Sequence, residues 1–344
     1  MSTLKVTNIE NPDGGGVSAK IADVGGGQLS NRNLIINGAM TVAQRATTTS
    51  TILGGTEYRT LDRFRTQLSG YSTAAGTVSQ STEAPTGFSK SHRVNITTPE
   101  TIAAADLATV RYRVEAQDVQ TLEYGTSNAK TTTLSFWVRS SIAGTYGISL
   151  FQPDALRNLG VTYSVNTANT WEYKTITIPG DTSGTINDDN GEGFQISWTL
   201  STGSDYQGTD NTSWGAYSDA RWATGHAVDL IGVTSDFYLT GVQLEVGSVA
   251  TTFEHRSLGD ELARCQRYYF KSTASIFGSR YSTSNMMMMA DFPVTMRTTP
   301  TVSGTYSIGS GTLSTNYTGS TRYTQYVTGV TAAALSNPAF SAEL

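Results

Sequence analysis

The stretch "TTTLSFWVRSSIAGTYGISLFQ", residues 131–152, decides the fold class. Leu134, Phe136 and Val138 alternate with Ser135, Trp137 and Arg139, and successive side chains of a strand point to opposite faces. The spacing predicts a strand over 131–141, a turn of two or three residues, and a second strand over 144–152, read together as a hairpin. The same period of two returns in "TWEYKTITIPGD" (170–181), "GFQISWTLS" (193–201) and "DFYLTGVQLEVG" (236–247). Leu34, Ile35 and Ile36 predict another strand start before an Asn37-Gly38 turn. Turn residues separate these runs and no long amphipathic helix interrupts them. The class is all-β, with an antiparallel two-sheet sandwich as the body.

Composition narrows the function classes. The chain has 344 residues, enough for two or three domains. Only 15% are charged, and Thr, Ser, Gly and Asn fill much of the rest, which argues against a charge-swollen disordered chain. The net charge is −5, from 23 basic and 28 acidic residues without a basic block, so nucleic acid is not an expected partner. Cys265 is the single cysteine, so no intrachain disulfide framework exists. No apolar run suits a membrane span and "MSTLKVTNIENPDGGG" has no apolar signal core. Synthesis in a cytoplasm-like compartment, without membrane insertion, is expected.

Four segments follow from texture. Residues 1–30 carry glycine triplets at 14–16 and 25–27 around one short strand-like run, which cannot bury itself. They are either disordered or an extended N-terminal segment that docks on something else. Residues 31–257 are the sandwich. Ser257 then caps a short joining helix over 258–267, with Asp260 and Glu261 in its first turn and Arg264 and Arg267 toward its end. Leu258, Leu262 and Cys265 would share one face of it. Residues 268–344 read as a smaller C-terminal β domain, whose tail, 301–344, carries side-chain charge only at Arg322 and Glu343 and, as a segment that rarely forms a rich core alone, is expected to gain burial by association with copies of itself. Met286 to Met289 on a strand would place two side chains on each face, filling a subunit seam or an ordinary core.

Candidate chemistry is sparse. His92, His226 and His255 have no nucleophile elbow near them, and with a lone cysteine they are too scattered for zinc. No catalytic residue is assigned. The loop "GDTSGTINDDNGEG" (180–193) offers Asp181, Asp188 and Asp189 as calcium candidates, beside Asn190 and Glu192, but without EF-hand spacing; a solvated acidic loop is the plainer reading. No other cofactor is expected. "SDYQGTDNTSWGAYSDARWATG" (204–225) interleaves rings with polar groups, and sugars stack on rings while their hydroxyls take polar partners. Tyr206, Trp214, Tyr217, Asp219, Arg221 and Trp222 are the glycan-binding candidates. The competing reading is that these rings pin the loop to its own domain or to a neighbouring subunit. Trp137 and Trp171, inside strands, are read as core or interface residues.

Three stretches carry a resemblance. "NRNLIINGAMTVAQRA" with "YRTLDRFR", "TLSFWVRSS" and "AGTYGISL" with "WEYKTITIPGDTSG", and "LTGVQLEVGSVATTFEHRSLGDELARCQRYYF" together resemble tail-fibre or related virion fibre proteins of marine, cyanophage-type bacteriophages. "MSTLKVTNIE" and "FPVTMRTTPTV" resemble the start and the distal part of such fibres. The second stretch also resembles carbohydrate-binding jelly-roll modules. The resemblance implies a jelly-roll body in a non-catalytic, homotrimeric virion protein. Residues 1–30 would bind tail or adaptor proteins, the C-terminus would point outward, and a host surface glycan or protein would be the target. A capsid-surface fibre or decoration protein and a polysaccharide depolymerase are the alternatives.

Overall fold

The structure, a computed structural model, describes residues 8–9, 19–20, 31–50, 55–208 and 213–344. The expected docking segment 1–30 lies outside these, apart from two short strands, β1 (Asn8–Ile9) and β2 (Ala19–Lys20), which pair antiparallel. The sandwich opens with β3 (Thr48–Ser50), β4 (Gly55–Glu57), β5 (Phe64–Ser69) and β6 (Ala75–Ser81). Eight further strands and a two-residue one follow: β7 (Ser91–Thr98), β8 (Leu107–Glu115), β9 (Thr132–Ser140), β10 (Gly144–Gln152), β11 (Arg157–Val165), β12 (Glu172–Ile178), β13 (Glu192–Thr202), β14 (Gly215–Ala216) and β15 (Ser235–Val246).

Their order defines the fold. One sheet runs β14-β11-β10-β13-β8-β5-β4 and the other β12-β9-β15-β7-β6-β3. Number β7 to β13 and β15 as first to eighth. One sheet then holds the fifth, fourth, seventh and second, and the other the sixth, third, eighth and first. That is the jelly roll, in which two Greek keys wrap around one core. The period of two explains why it closes. Val110, Tyr112 and Val114 of β8, Leu134, Phe136 and Val138 of β9, and Phe194, Ile196 and Trp198 of β13 are buried in a single cluster between the sheets. Each such side chain contributes roughly 1.5–3 kcal/mol on burial. Trp198 sits at the centre, its ring 6.4 Å from Phe64 and 5.8 Å from Phe136.

The opening stretch is not a hairpin. β9 and β10 belong to opposite sheets, so Ser141, Ile142 and Ala143 bridge the sandwich edge. Tyr146 pins this corner: its hydroxyl donates to the Ile142 carbonyl at 2.7 Å and lies 2.8 Å from Ser140 Oγ. Alternation reports which face is apolar, and both strands turn that face to the same core. It is blind to which sheet each joins. The true hairpin is β10–β11, paired from Gly144↔Val165 to Gln152↔Arg157. Leu34 to Ile36 also depart from the expected strand; they are irregular backbone tied down by the Leu34 N–H to the Leu244 carbonyl at 2.9 Å.

The joint is α1 (Leu258–Gln266), and Ser257 Oγ accepts from the Asp260 N–H at 3.1 Å. Cys265 is buried and Leu262 partly so, but Leu258 is 62% exposed. Glu261 takes the inner position instead, because it accepts from the Asn37 N–H and from Arg256 Nη1 at 3.1 Å. Beyond the joint lie β16 (Tyr269–Lys271), β17 (Ile276–Ser282), β18 (Asn285–Asp291), β19 (Thr301–Ser307), β20 (Thr312–Asn316), β21 (Arg322–Thr328) and β22 (Ala334–Ser341). They form a third sheet, β16-β22-β17-β18-β21-β20, with β19 also on β22.

This sheet has a core of its own. Met286 and Met288 are buried beside Tyr323, Leu335 and Phe340, while Met287 and Met289 face outward. The tail supplies Tyr323, Val327, Leu335 and Phe340 to it, while Leu313 and Tyr317 stay exposed. The chain end folds back to the joint. Leu344 packs against the cluster of Ile36, Val42, Cys265 and Tyr268, and Glu343 binds Arg45 at 2.9 Å and Arg63 at 2.6 Å.

Candidate functional site

The outer face of the sheet containing β8 is the floor of a cleft. Because Val110, Tyr112 and Val114 point inward, Thr109, Arg111 and Arg113 must point outward. The register sets Arg65 of β5 opposite Arg111, and Gln195 and Ser197 of β13 opposite Arg113 and Arg111. Phe151 of β10 lies opposite Gln195. One wall comes from residues 203–208 and 213–225, which include two single 3-10 turns, Ser204–Tyr206 and Asp219–Arg221. Floor and wall enclose about 300 Å³, lined among others by Arg111, Gln195, Phe151, Tyr206, Tyr217 and Trp222. That is the lower end of the range for small-molecule sites, with rings and polar groups converging.

The rings form one cluster. Phe151 lies 5.2 Å from Tyr217 and 6.4 Å from Trp222, and Tyr217 and Trp222 meet edge to face. Tyr217 is 42% exposed, and its hydroxyl donates to Asp219 Oδ1 at 2.5 Å. Burial, then that carboxylate, holds its phenol well above the ordinary range. Trp222 is buried and lies 4.7 Å beneath the Arg111 guanidinium, a cation–π contact. Burial, and then the charges of Arg65 and Arg113, pull Arg111 down to about 9. Glu192 pairs with Arg113 at 2.9 Å; burial nevertheless raises its pKa.

The glycan-binding candidates divide. Tyr206, Tyr217, Asp219 and Trp222 line the cleft. Trp214 does not: it is 9% exposed, its indole N–H donates to the Pro179 carbonyl at 2.8 Å, and Tyr124 and Phe194 each lie 6.0 Å away. Arg221 turns to the Ser213 carbonyl, at 2.5 Å, beside Gly215. Asp210 and Asn211 fall outside the described residues. Arg111, Arg113, Gln195 and Phe151 were missed in the sequence. Their signal was present, since two arginines two apart within "LATVRYRVE" must share the face opposite the core.

The calcium candidates are not brought together. Asp181 is buried and held by Arg157 through two bonds, of 2.6 and 3.1 Å, with Gln152 Nε2 at 3.0 Å. Asp188 is exposed, and Asp189 Oδ1 accepts from the Gly191 N–H at 2.7 Å. Among the described residues, no group of three His, Cys, Asp or Glu is arranged to hold a metal ion. His92 and His226 are buried, and burial lowers both to about 4. His226 Nδ1 accepts from the Gly147 N–H at 3.0 Å. His255 packs against Phe88 and Phe253, at 5.2 and 4.8 Å. Trp137 and Trp171 are not core residues. They are half-buried on the outside of the second sheet, against Tyr173 at 5.4 Å and Tyr238 at 5.9 Å.

No family model matches the chain, and no curated protein is similar to it in sequence. Solved structures show distant likenesses. The enzymatically active domain of tailspike protein 4 of bacteriophage CBA120 is 10% identical with a TM-score of 0.34, over 62% of this chain and 21% of that one. The chain thus spans about a fifth of that tailspike's length. The C-terminal family 22 carbohydrate-binding module of a Clostridium thermocellum xylanase is 12% identical with a TM-score of 0.33, over 65% of this chain and 100% of the module. A Bacteroides thetaiotaomicron protein to which sugar binding is assigned without proof is 8% identical with a TM-score of 0.34, over 62% of this chain and 100% of that one. Likenesses this distant carry no functional weight, and the jelly roll stands on its own strand order.

Proposed function

We propose that this chain is a non-catalytic, glycan-recognising fibre protein of a bacteriophage virion, attaching the particle to its host. The observation that carries glycan recognition is the cleft on the outer sheet face, where Tyr217 offers a ring that is part solvent-facing above a floor of Gln and Arg side chains. Ring stacking plus a few convergent polar groups is the minimum a sugar requires. The virion and tail placement is supported by the resemblance of the three sequence stretches, with residues 1–30 as the attachment segment. Self-association as a homotrimer is supported by an apolar row on the outer face of the third sheet, where Phe277, Tyr281, Met289 and Tyr317 are exposed.

The test is binding of the purified full chain to host envelope polysaccharide, with release of reducing ends followed in the same samples. Binding without release supports the reading. Release that is lost when one carboxylate is replaced would establish a depolymerase instead. Sedimentation gives the oligomeric state, and a monomer at micromolar concentration would remove the homotrimer.

A further inference from the structure

The floor of the cleft has a charge arrangement that neutral-sugar binding leaves unexplained. Arg65 and Arg111 are direct cross-strand partners, and Arg113 lies two residues along the same face. Like charges directly opposite one another destabilise a sheet. Two carboxylates share the cleft with three arginines, and each is engaged by another group. Glu192 pairs with Arg113, and Asp219 accepts the Tyr217 hydroxyl. Arg111 is the extreme case. Its side chain is about nine-tenths buried, and its Nε donates to Thr109 Oγ1 at 3.0 Å. Among the described residues, its two terminal nitrogens find no acceptor. The guanidinium lies over the Trp222 ring, in the cavity that Tyr217, Phe151 and Gln195 also line. Glu192 across the cleft offsets part of this charge, but burial and the two neighbouring arginines outweigh it, so an anion on the open side of the guanidinium is favoured.

We propose that the cleft is selective for an acidic sugar unit, whose carboxylate or sulfate is received by the free fork of Arg111 while the sugar ring lies against Tyr217 and Phe151. A planar guanidinium binds such oxyanions through two parallel hydrogen bonds, and Gln195 Oε1, which accepts from Arg113 Nε at 3.3 Å, helps hold that second arginine on the floor. This inference rests on the glycan-binding reading above and names its ligand class.

The experiment uses the full chain and isothermal titration calorimetry with four probes: galacturonate, galactose 6-sulfate, galactose and inorganic sulfate. The two acidic sugars distinguish a uronate from a sulfated sugar as the preferred source of charge. Expected is an affinity for one of them about tenfold or more above galactose, as a charge-assisted bidentate contact provides. The preference should weaken with added sodium chloride and vanish in Arg111→Met. Because that substitution relieves the burial cost and the repulsion from Arg65 and Arg113, it should also raise the thermal midpoint; a lowered midpoint would make Arg111 a structural residue and overturn the proposal. Should Arg111→Met not fold, Arg111→Lys keeps the charge but loses the fork, and undiminished preference there would equally overturn it. Galactose bound as well as the acidic sugars refutes the charge selectivity and leaves glycan recognition standing. Sulfate bound as tightly as the acidic sugars marks a bare anion site and refutes the sugar. No binding by any probe refutes both.

Discussion

At the residue scale, neighbours in one loop do different work. Trp214 and Tyr217 are three positions apart, yet one ring is locked in the core and the other half faces solvent. Trp214→Ala should cost about 3–5 kcal/mol in urea unfolding, the usual penalty for emptying a buried aromatic site. Tyr217→Ala should leave stability within about 0.5 kcal/mol and weaken glycan binding several-fold, measured by titration calorimetry. Equal losses of stability in the two variants would mean that the loop only packs.

The buried histidines belong to the same scale. Both are lowered to about 4 by burial, below the unfolded value near 6.5. The unfolded chain therefore binds more protons between those values. Their stabilising contribution is complete above pH 6.5 and is lost as pH falls through about 4, up to roughly 3 kcal/mol for each histidine. Asp62, raised by burial to about 6 despite Arg45, acts with the opposite sign, losing stability as pH rises from about 4 through 6. Thermal midpoints at pH 7.5 and 4.5 should thus differ more in the wild type than in His92→Gln/His226→Gln. An unchanged difference would show that neither histidine is buried in its neutral form.

At the scale of elements, the joint and the sandwich corner are the informative pieces. Ser257 satisfies an otherwise free N–H at the start of α1, so Ser257→Ala should cost about 1 kcal/mol. Chemical denaturation checks this, and no change would show that the first turn is held by Glu261 and its partners alone. The cap and the helix were legible in the sequence because capping is a contact across three residues. Leu258 was misplaced on the inner face because Glu261 binds Asn37 and Arg256, and Asn37 is more than two hundred residues distant in sequence. The corner between β9 and β10 was misread as a hairpin for a related reason. Turn length is local, but the choice between sheets depends on where β13 and β15 insert, some fifty and a hundred residues later.

At the scale of the whole molecule, the sandwich and the third sheet share an ionic seam. Arg63 is fully buried, stacks on Tyr268 at 3.5 Å, and donates to the Arg113 carbonyl and to Glu343 at 2.6 Å each. Glu115, also buried, accepts from Arg267 and from the Tyr268 hydroxyl at 2.7 Å. Removing one partner of a buried pair strands the other charge, at a cost of about 3–5 kcal/mol. Glu343→Ala is therefore expected to uncouple the two bodies and split one calorimetric transition into two. A single transition at the original midpoint would show that the seam holds without the chain end.

The sequence by itself determined the all-β class, the faces of the strands, the capped helix and the outward pair of methionines. These depend on side-chain period and on contacts within a few residues, which the linear order contains. Tertiary structure alone decided the jelly-roll strand order, the return of Glu343 and Leu344 to the joint, and the cleft itself. Its floor comes from β5, β8, β10 and β13 and its wall from a loop beyond them. The cleft is set by register between segments far apart in the chain, and register is a property of the assembled sheets, where each strand's apolar face has already found its core.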